Sequence, residues 1–317
     1  MKQIKLIEVK SEIGAGTRGA SMGIDALKIA ALDFGSYFFK RNKSVKVPVE
    51  NRLLLEPIKN EYAKRIVGVY MVVDKLSKEV QKAVEAPNTF PIILLGDHSS
   101  SMGTVAGIKM AHPDKRLGVI WIDAHADIHS PYTTPSGNMH GMPIAAMLDE
   151  DNMENRVNNP DEETIQYWEK LKSLGGIKPK ILPSDLIYVS MRDTEVQENA
   201  IMKKLNIRNY PVSEMRSKGV ERAAVEVLNY LDKCDIIHIS FDVDCMDPSI
   251  SRGTGTPTKN GITEREAGNF ISRLLYSKKI VSFEVTEINP TLDRENLMAE
   301  NAFEILQKAA NQITRVI

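Results

Sequence analysis

Three short hydrophobic runs in this 317-residue chain each stop at a cluster of aspartates and histidines. Ile92–Leu95 leads into Gly96-Asp97-His98-Ser99, Val119–Ile122 into Asp123-Ala124-His125-Ala126-Asp127, and Ile236–Phe241 into Asp242-Val243-Asp244. No other feature restricts the fold so strongly. Polar groups at the tips of buried strands meet only if the strands lie side by side and run the same way, because an open parallel sheet presents its crevice at the carboxyl ends of its strands.

The remainder of the chain has the alternation that such a sheet needs. Strands are expected at Ile4–Val9, Ile92–Leu95, Leu117–Ile122, Leu186–Ser190, Ile207–Tyr210, Ile236–Phe241 and Ile280–Val285. Between them fall stretches with helical spacing: Ala20–Phe34, Glu61–Ala86, Ser101–Met110, Glu195–Leu205, Gly219–Leu231, Glu264–Tyr276 and Leu297–Val316, with a short helix beginning at Pro143–Leu148. Short β-branched runs separated by amphipathic stretches are the signature of repeated βαβ units. Asp149–Lys180 is acidic and Asn-rich at its start and carries one candidate helix, Glu162–Leu174. It is too short for a core of its own and reads as a surface excursion. With no internal repeat, the economical reading is one domain over residues 1–317.

Composition excludes several function classes. A net charge of −1 gives no electrostatic attraction to nucleic acid or anionic lipid, and no segment approaches the roughly 20 apolar residues needed to span a bilayer. Only Cys234 and Cys245 are present, which suits a reducing compartment without disulfides. A cytoplasmic enzyme is the expectation.

The three clusters supply two imidazoles and four carboxylates: His98, Asp123, His125, Asp127, Asp242 and Asp244. Residues two apart on an extended chain point the same way, so Asp123, His125 and Asp127 should face one point, as should Asp242 and Asp244. A single aspartate after a strand is ordinarily a helix cap, and a lone histidine is ordinarily a packed side chain. Together they are a different matter, because so many unpaired charges in one place would cost several kcal/mol, which bound cations remove. Carboxylates with two imidazoles and no thiolate suit Mn²⁺, with other borderline divalent ions as alternatives. Two such ions lower the pKa of a shared water from 15.7 towards about 7, the device of a metallohydrolase. Cys245 has the wrong parity to face the site and is read as packing. His112 is expected in a turn, His238 in a structural or supporting position, and Asp247 as a turn-fixing residue before Pro248.

The segments Leu95-Gly96-Asp97-His98-Ser99, Asp123-Ala124-His125-Ala126-Asp127, Ser240-Phe241-Asp242-Val243-Asp244 and Gly255-Thr256-Pro257 resemble the signatures of the ureohydrolases, in order and across most of the chain. Thr133–Gly141 and Glu287-Ile288-Asn289-Pro290 are similar to the arginase branch. The resemblance implies a three-layer α/β/α fold with a mostly parallel central sheet, trimeric or hexameric assembly, and a small guanidino substrate. It implies one Mn²⁺ held by His98, Asp123, Asp127 and Asp242 and another by Asp123, His125, Asp242 and Asp244. A hydroxide between the metals would attack the guanidinium carbon, releasing urea and an amine. Asp127 would orient the hydroxide, His140 would shuttle a proton, Glu287 would pair with the guanidinium, and Thr256 would line the pocket.

The far end of the substrate decides which guanidine is used. By the same resemblance Thr134, Ser136 and Asn138 would hold an α-carboxylate, which favours L-arginine over guanidinobutyrate, with agmatine behind both. Two positions at that end depart from the family: His129 stands where asparagine is common, and Glu195 where an aspartate serves the α-ammonium. Other two-metal hydrolases and a non-catalytic protein on the same scaffold remain as rivals. The first is disfavoured by Glu287, which would repel a phosphate, and the second by the complete ligand set.

Overall fold

The computed structural model describes residues 2–316. Eight strands form one sheet: β1 (Gln3–Val9), β2 (Ser44–Lys46), β3 (Thr89–Leu95), β4 (Leu117–Ile122), β5 (Leu186–Val189), β6 (Arg208–Tyr210), β7 (Ile236–Asp242) and β8 (Ile280–Thr286). Their order is β2-β1-β3-β8-β7-β4-β5-β6, and every pairing is parallel. The chain first lays down β1, β2 and β3. It then crosses to build β4, β5 and β6, and returns to fill the gap with β7 and β8. The four middle strands are therefore β3, β8, β7 and β4, which include all three that end in Asp/His clusters.

Both faces of the sheet are covered, giving three layers. Gly23–Asp33, Val212–Lys218, Val220–Tyr230, Glu264–Leu274 and Leu297–Val316 pack on one side, where Ile120, Ile122, Ile237, Ile239, Phe241, Phe283 and Val285 point. Ile66–Glu85, Ser101–Ala111, Pro143–Leu148, Glu162–Lys172 and Val196–Leu205 cover the other, over Ile93, Leu95, Val119, Trp121 and Tyr188. Side chains alternate between faces along a strand, so a run such as β4 is apolar almost throughout because both of its faces are buried. The helix over 264–274 starts in a reciprocal cap, in which Thr263 Oγ1 accepts from Glu266 N at 3.1 Å and Glu266 Oε2 accepts from Thr263 N at 2.8 Å. Such a cap contributes about 1 kcal/mol.

Several details differ from the sequence expectations, each for a physical reason. β3 begins at Thr89 and includes Pro91, a residue that cannot donate to a ladder. Pro91 pairs only with β1, because contact with β8 starts at Ile92, so the strand is locally an edge there. β2 was not foreseen: its three residues, Ser44-Val45-Lys46, are exposed or half-buried and show no apolar run. The helix over 66–85 starts after Arg65, which adopts φ 59° and breaks the pattern extending back to Glu61. The segment 149–180 is an excursion tied firmly to the body. Trp168 and Leu171 are buried in the main core, and Asp151 accepts from Trp168 Nε1 and Lys172 Nζ, both at 2.7 Å. On the C-terminal helix the apolar stripe (Met298, Ala302, Phe303, Leu306, Ala309, Ile313) is spent on this chain's own core. No helix among the described residues is long and apolar enough to cross a membrane.

Candidate metal centre

Each Asp/His cluster is shaped by the same local device. Asp97 Oδ1 accepts from Ser99 N at 3.0 Å, Asp123 Oδ1 from His125 N at 2.7 Å, and Asp242 Oδ1 from Asp244 N at 2.8 Å. An aspartate that ends a strand and bonds the amide two residues on makes a tight turn without help from distant residues. The capping role and a ligating role are thus compatible, since each turn uses one carboxylate oxygen. The convergence does not come from strand alternation. β4 ends at Ile122, and Asp127 adopts φ 50°, a left-handed conformation that is costly for a non-glycine residue. Glu287 shares this property with φ 65° and is tied by its amide to Gly96 O at 3.1 Å. Strain at these two positions turns Asp127 and Glu287 off the chain direction.

The six expected groups meet. His98 Nδ1 lies 3.1 Å from Asp123 Oδ2, 3.1 Å from Asp127 Oδ2 and 3.2 Å from Asp242 Oδ2. His125 Nδ1 lies 2.9 Å from Asp244 Oδ2 and 3.5 Å from Asp123 Oδ1. Two overlapping groups, His98/Asp123/Asp127 and Asp123/His125/Asp244, share Asp123 and are close enough for cation coordination. His98 Nδ1 and Asp123 Oδ2 are fully buried without a hydrogen-bond partner, the condition expected of atoms that ligate. Burial, then Asp244 and Asp123, push the Asp242 carboxyl well above the usual range, and burial with Asp123 pushes Asp127 up to about 7. Crowded carboxylates of this kind resist sharing a dry site unless positive charge joins them. The donor set fits divalent cations. His98 is further held by stacking on Trp121, with ring centroids 4.0 Å apart and planes 7° apart.

A cavity of about 400 Å³ opens over this cluster, lined by Asp123, His125, Asp127, Asp242 and Asp244 together with His129, Thr134, Ser136, Asn138, His140, Glu195 and Thr256. A model of the arginase family matches residues 2–311. The chain belongs to the arginase family. It is 34% identical over 311 residues to an arginase of Bacillus subtilis, covering 96% of this chain and 97% of that one. It is 37% identical over 206 residues to human arginase-1, covering 64% of this chain and 59% of that one. The crystal structure of arginase from Bacillus caldovelox superposes with a TM-score of 0.83 at 31% identity, covering 98% of both chains. Arginase family proteins are metal-dependent, in keeping with the His/Asp groups present here.

The structure places the remaining arginase-type residues in distinct layers. Glu287, 4% exposed, is held beside His98 and the cavity-lining His140. Its Oε1 accepts from His98 N at 2.9 Å and lies 3.1 Å from His140 Nδ1, which leaves Oε2 without a hydrogen-bond partner among the described residues. Oε2 is therefore the oxygen available to a donor from the cavity. Burial works against a charged His140, but the bond and charge of Glu287, with Asp127 and Asp97, push it up to about 9. At the outer end Thr134 Oγ1 accepts from Gly137 N at 2.9 Å and Ser136 Oγ from Asn138 N at 3.2 Å. Lys64 Nζ holds Asn138 Oδ1 at 3.3 Å. Two hydroxyl protons and the Asn138 amide protons therefore remain to meet an anion. Thr256 Oγ1 donates to Asp244 Oδ2 at 3.2 Å, so its hydroxyl serves a ligand candidate although the residue also lines the cavity.

The two departures from the family touch each other. His129 Nε2 donates to Glu195 Oε2 at 3.1 Å, and Nδ1 lies 3.1 Å from Thr133 Oγ1. Both imidazole nitrogens are engaged, so His129 has no idle donor for a substrate carboxylate. Sequence reasoning missed Asp193, whose Oδ2 is 3.8 Å from His125 Nε2, and Glu198, whose Oε2 accepts from Glu195 N at 3.0 Å. The signal was available for Glu198, three residues after Glu195 at a helix start, the spacing of a reciprocal cap. Asp247 fixes its turn as expected, accepting from Ser249 N at 2.9 Å and Gly261 N at 3.1 Å. Cys245 is fully buried.

Proposed function

We propose that this chain hydrolyses L-arginine to L-ornithine and urea, using two Mn²⁺ ions held by His98, Asp123, Asp127 and Asp242 on one side and Asp123, His125, Asp242 and Asp244 on the other. The observation that carries the reading is the shared Asp123 between two largely buried His/Asp groups at the floor of a cavity with anion-binding donors at its rim. Four carboxylates are balanced by two divalent cations, and oxygen-rich ligation with imidazole suits manganese. When bound, the cations supply a water ionised near neutral pH.

The residues of the chain do the rest. The free Oε2 of Glu287 takes a guanidinium N–H and fixes the electrophilic carbon over the floor. Asp127 orients the attacking water and takes its proton. His140 is steadied through Nδ1 by Glu287 and has no partner on Nε2 among the described residues, so it can hand a proton to the departing amine. The new C–O bond forms, the bond to the nitrogen that becomes the δ-amine breaks, and urea and ornithine leave. Thr134, Ser136 and Asn138 meet the α-carboxylate, and Glu195 meets the α-ammonium while still bonded to His129. One domain over residues 1–317 suits this reading, since the sheet joins strands from both ends of the chain.

The His129–Glu195 contact favours a second reading, hydrolysis of guanidinobutyrate, because it occupies the carboxylate that an α-ammonium needs. Urea release by manganese-loaded enzyme from arginine, guanidinobutyrate and agmatine separates the two. Highest kcat/KM on arginine is expected. Turnover of guanidinobutyrate with none of arginine would replace the substrate, and turnover of agmatine alone would end both readings.

A further inference from the structure

Beneath the metal centre the two middle strands carry a polar ladder in an otherwise apolar core. In the parallel register His238 lies beside Ser282, Ser240 beside Glu284, and Asp242 beside Thr286. All six share the face covered by the helix over 101–111; five are fully buried and Asp242 is 2% exposed. A carboxylate such as Glu284, with no accessible surface, is costly unless it is well bonded. Glu284 Oε1 accepts from Ser240 Oγ at 2.7 Å and from Ser101 Oγ at 2.6 Å, and His238 Nε2 lies 3.3 Å away. His238 Nδ1 in turn lies 2.8 Å from Ser282 Oγ. The ladder ends at the metal centre in Asp242 itself, and it is tied to a second ligand candidate where His98 Nε2 lies 2.8 Å from Ser240 Oγ.

The direction of these bonds follows from proton counting. A serine hydroxyl has one proton, and an ionised carboxylate can only accept. Ser240 therefore gives its proton to Glu284, and its oxygen must accept from His98. That assigns the His98 proton to Nε2 and leaves Nδ1 as the nitrogen with a lone pair, aimed at Asp123, Asp127 and Asp242. A bare lone pair among three carboxylate oxygens is repulsive alone and is the correct arrangement for a cation ligand. Among the described residues His125 has no such buried support, its Nε2 facing the exposed Asp193 at 3.8 Å.

We propose that Ser240 and Glu284 are positioning residues that fix the tautomer of His98, and that they set the affinity of the cation on the His98 side selectively. This rests on the two-cation reading above. Glu284 supplies the anion that orients Ser240, and Ser101 adds a second donor that holds the carboxylate. Supporting groups of this kind change metal affinity about 10- to 100-fold. The ion on the His125 side has no bond to the ladder except through Asp242, so it should change little.

The test uses manganese-loaded enzyme of the wild type, Ser240→Ala, Glu284→Gln and a reference variant, His98→Asn. Each is equilibrated with increasing chelator, and retained manganese per chain is counted by atomic absorption. Wild type should lose its ions in two steps, of which His98→Asn weakens one. Ser240→Ala should shift that same step by about 10- to 100-fold while the other moves less than about threefold. Glu284→Gln keeps an acceptor for Ser240 and should shift the same step by a smaller factor. Retention in Ser240→Ala indistinguishable from wild type, or equal weakening of both steps, would overturn the assignment. Wild type that never holds two ions would instead overturn the two-cation reading, and with it this proposal.

Discussion

Replacing Glu287 with glutamine keeps the shape of the site and changes its charge, which makes it the sharpest probe of substrate binding. Glutamine retains a carbonyl oxygen that can accept from His98 N and His140 Nδ1, the two bonds now made by Glu287 Oε1 at 2.9 and 3.1 Å. What it loses is Oε2, replaced by an NH₂ group that confronts the guanidinium donor to donor. Removing one partner of a buried ion pair costs on the order of 3–5 kcal/mol. Because a single oxygen is available, the loss belongs near 3 kcal/mol, or about 10²-fold in kcat/KM at 1.36 kcal/mol per decade. The assay is urea release over a range of arginine concentrations, with manganese content measured on the same preparation. Metal content should stay at the wild-type level. A variant with full manganese and kcat/KM within about threefold of wild type would refute a Glu287–guanidinium contact.

Three further outcomes are expected. Asp127→Ala should lower both manganese retention and turnover by more than about 10²-fold, since a ligand and the water-orienting carboxylate disappear together; full turnover in metal-replete protein would refute the role. His129→Asn should free Glu195 from its 3.1 Å bond and raise kcat/KM for arginine relative to guanidinobutyrate by a few-fold, while no change in the ratio would detach the pair from specificity. Trp168→Ala, at a fully buried site bonded to Asp151, should destabilise the fold by about 3–5 kcal/mol in chemical denaturation and leave kcat of the folded enzyme unchanged.

Where the sequence was legible, it was because local chemistry and burial agreed. The run Leu117–Ile122 needs no alternating pattern to be read as a strand: it is apolar almost throughout because β4 is covered on both faces. The Asp/His cluster was visible because each member lies within five residues after such a run, where a parallel sheet gathers its loops. Its geometry was not visible. The turns at Asp123 and Asp242 and the positive φ of Asp127 depend on bonds that alternation arguments do not include. The His129–Glu195 contact joins residues 66 apart in the chain, so two departures that looked independent proved to be one feature. Glu284 escaped notice because a lone acid in a strand ordinarily faces water. Only the register beside Ser240 shows that it does not.

The strand order has a consequence for biosynthesis. β3 and β4 are translated early, but the pair that lies between them, β7 and β8, is not complete until Thr286. A nascent chain released to residue 235 would present two long, unpaired strand borders, templates for self-association. It would also lack Asp242, Asp244 and Glu287. Assembly of the metal centre must therefore follow the docking of the last quarter of the polypeptide, and a chain cut short before β7 should be insoluble as well as metal-free.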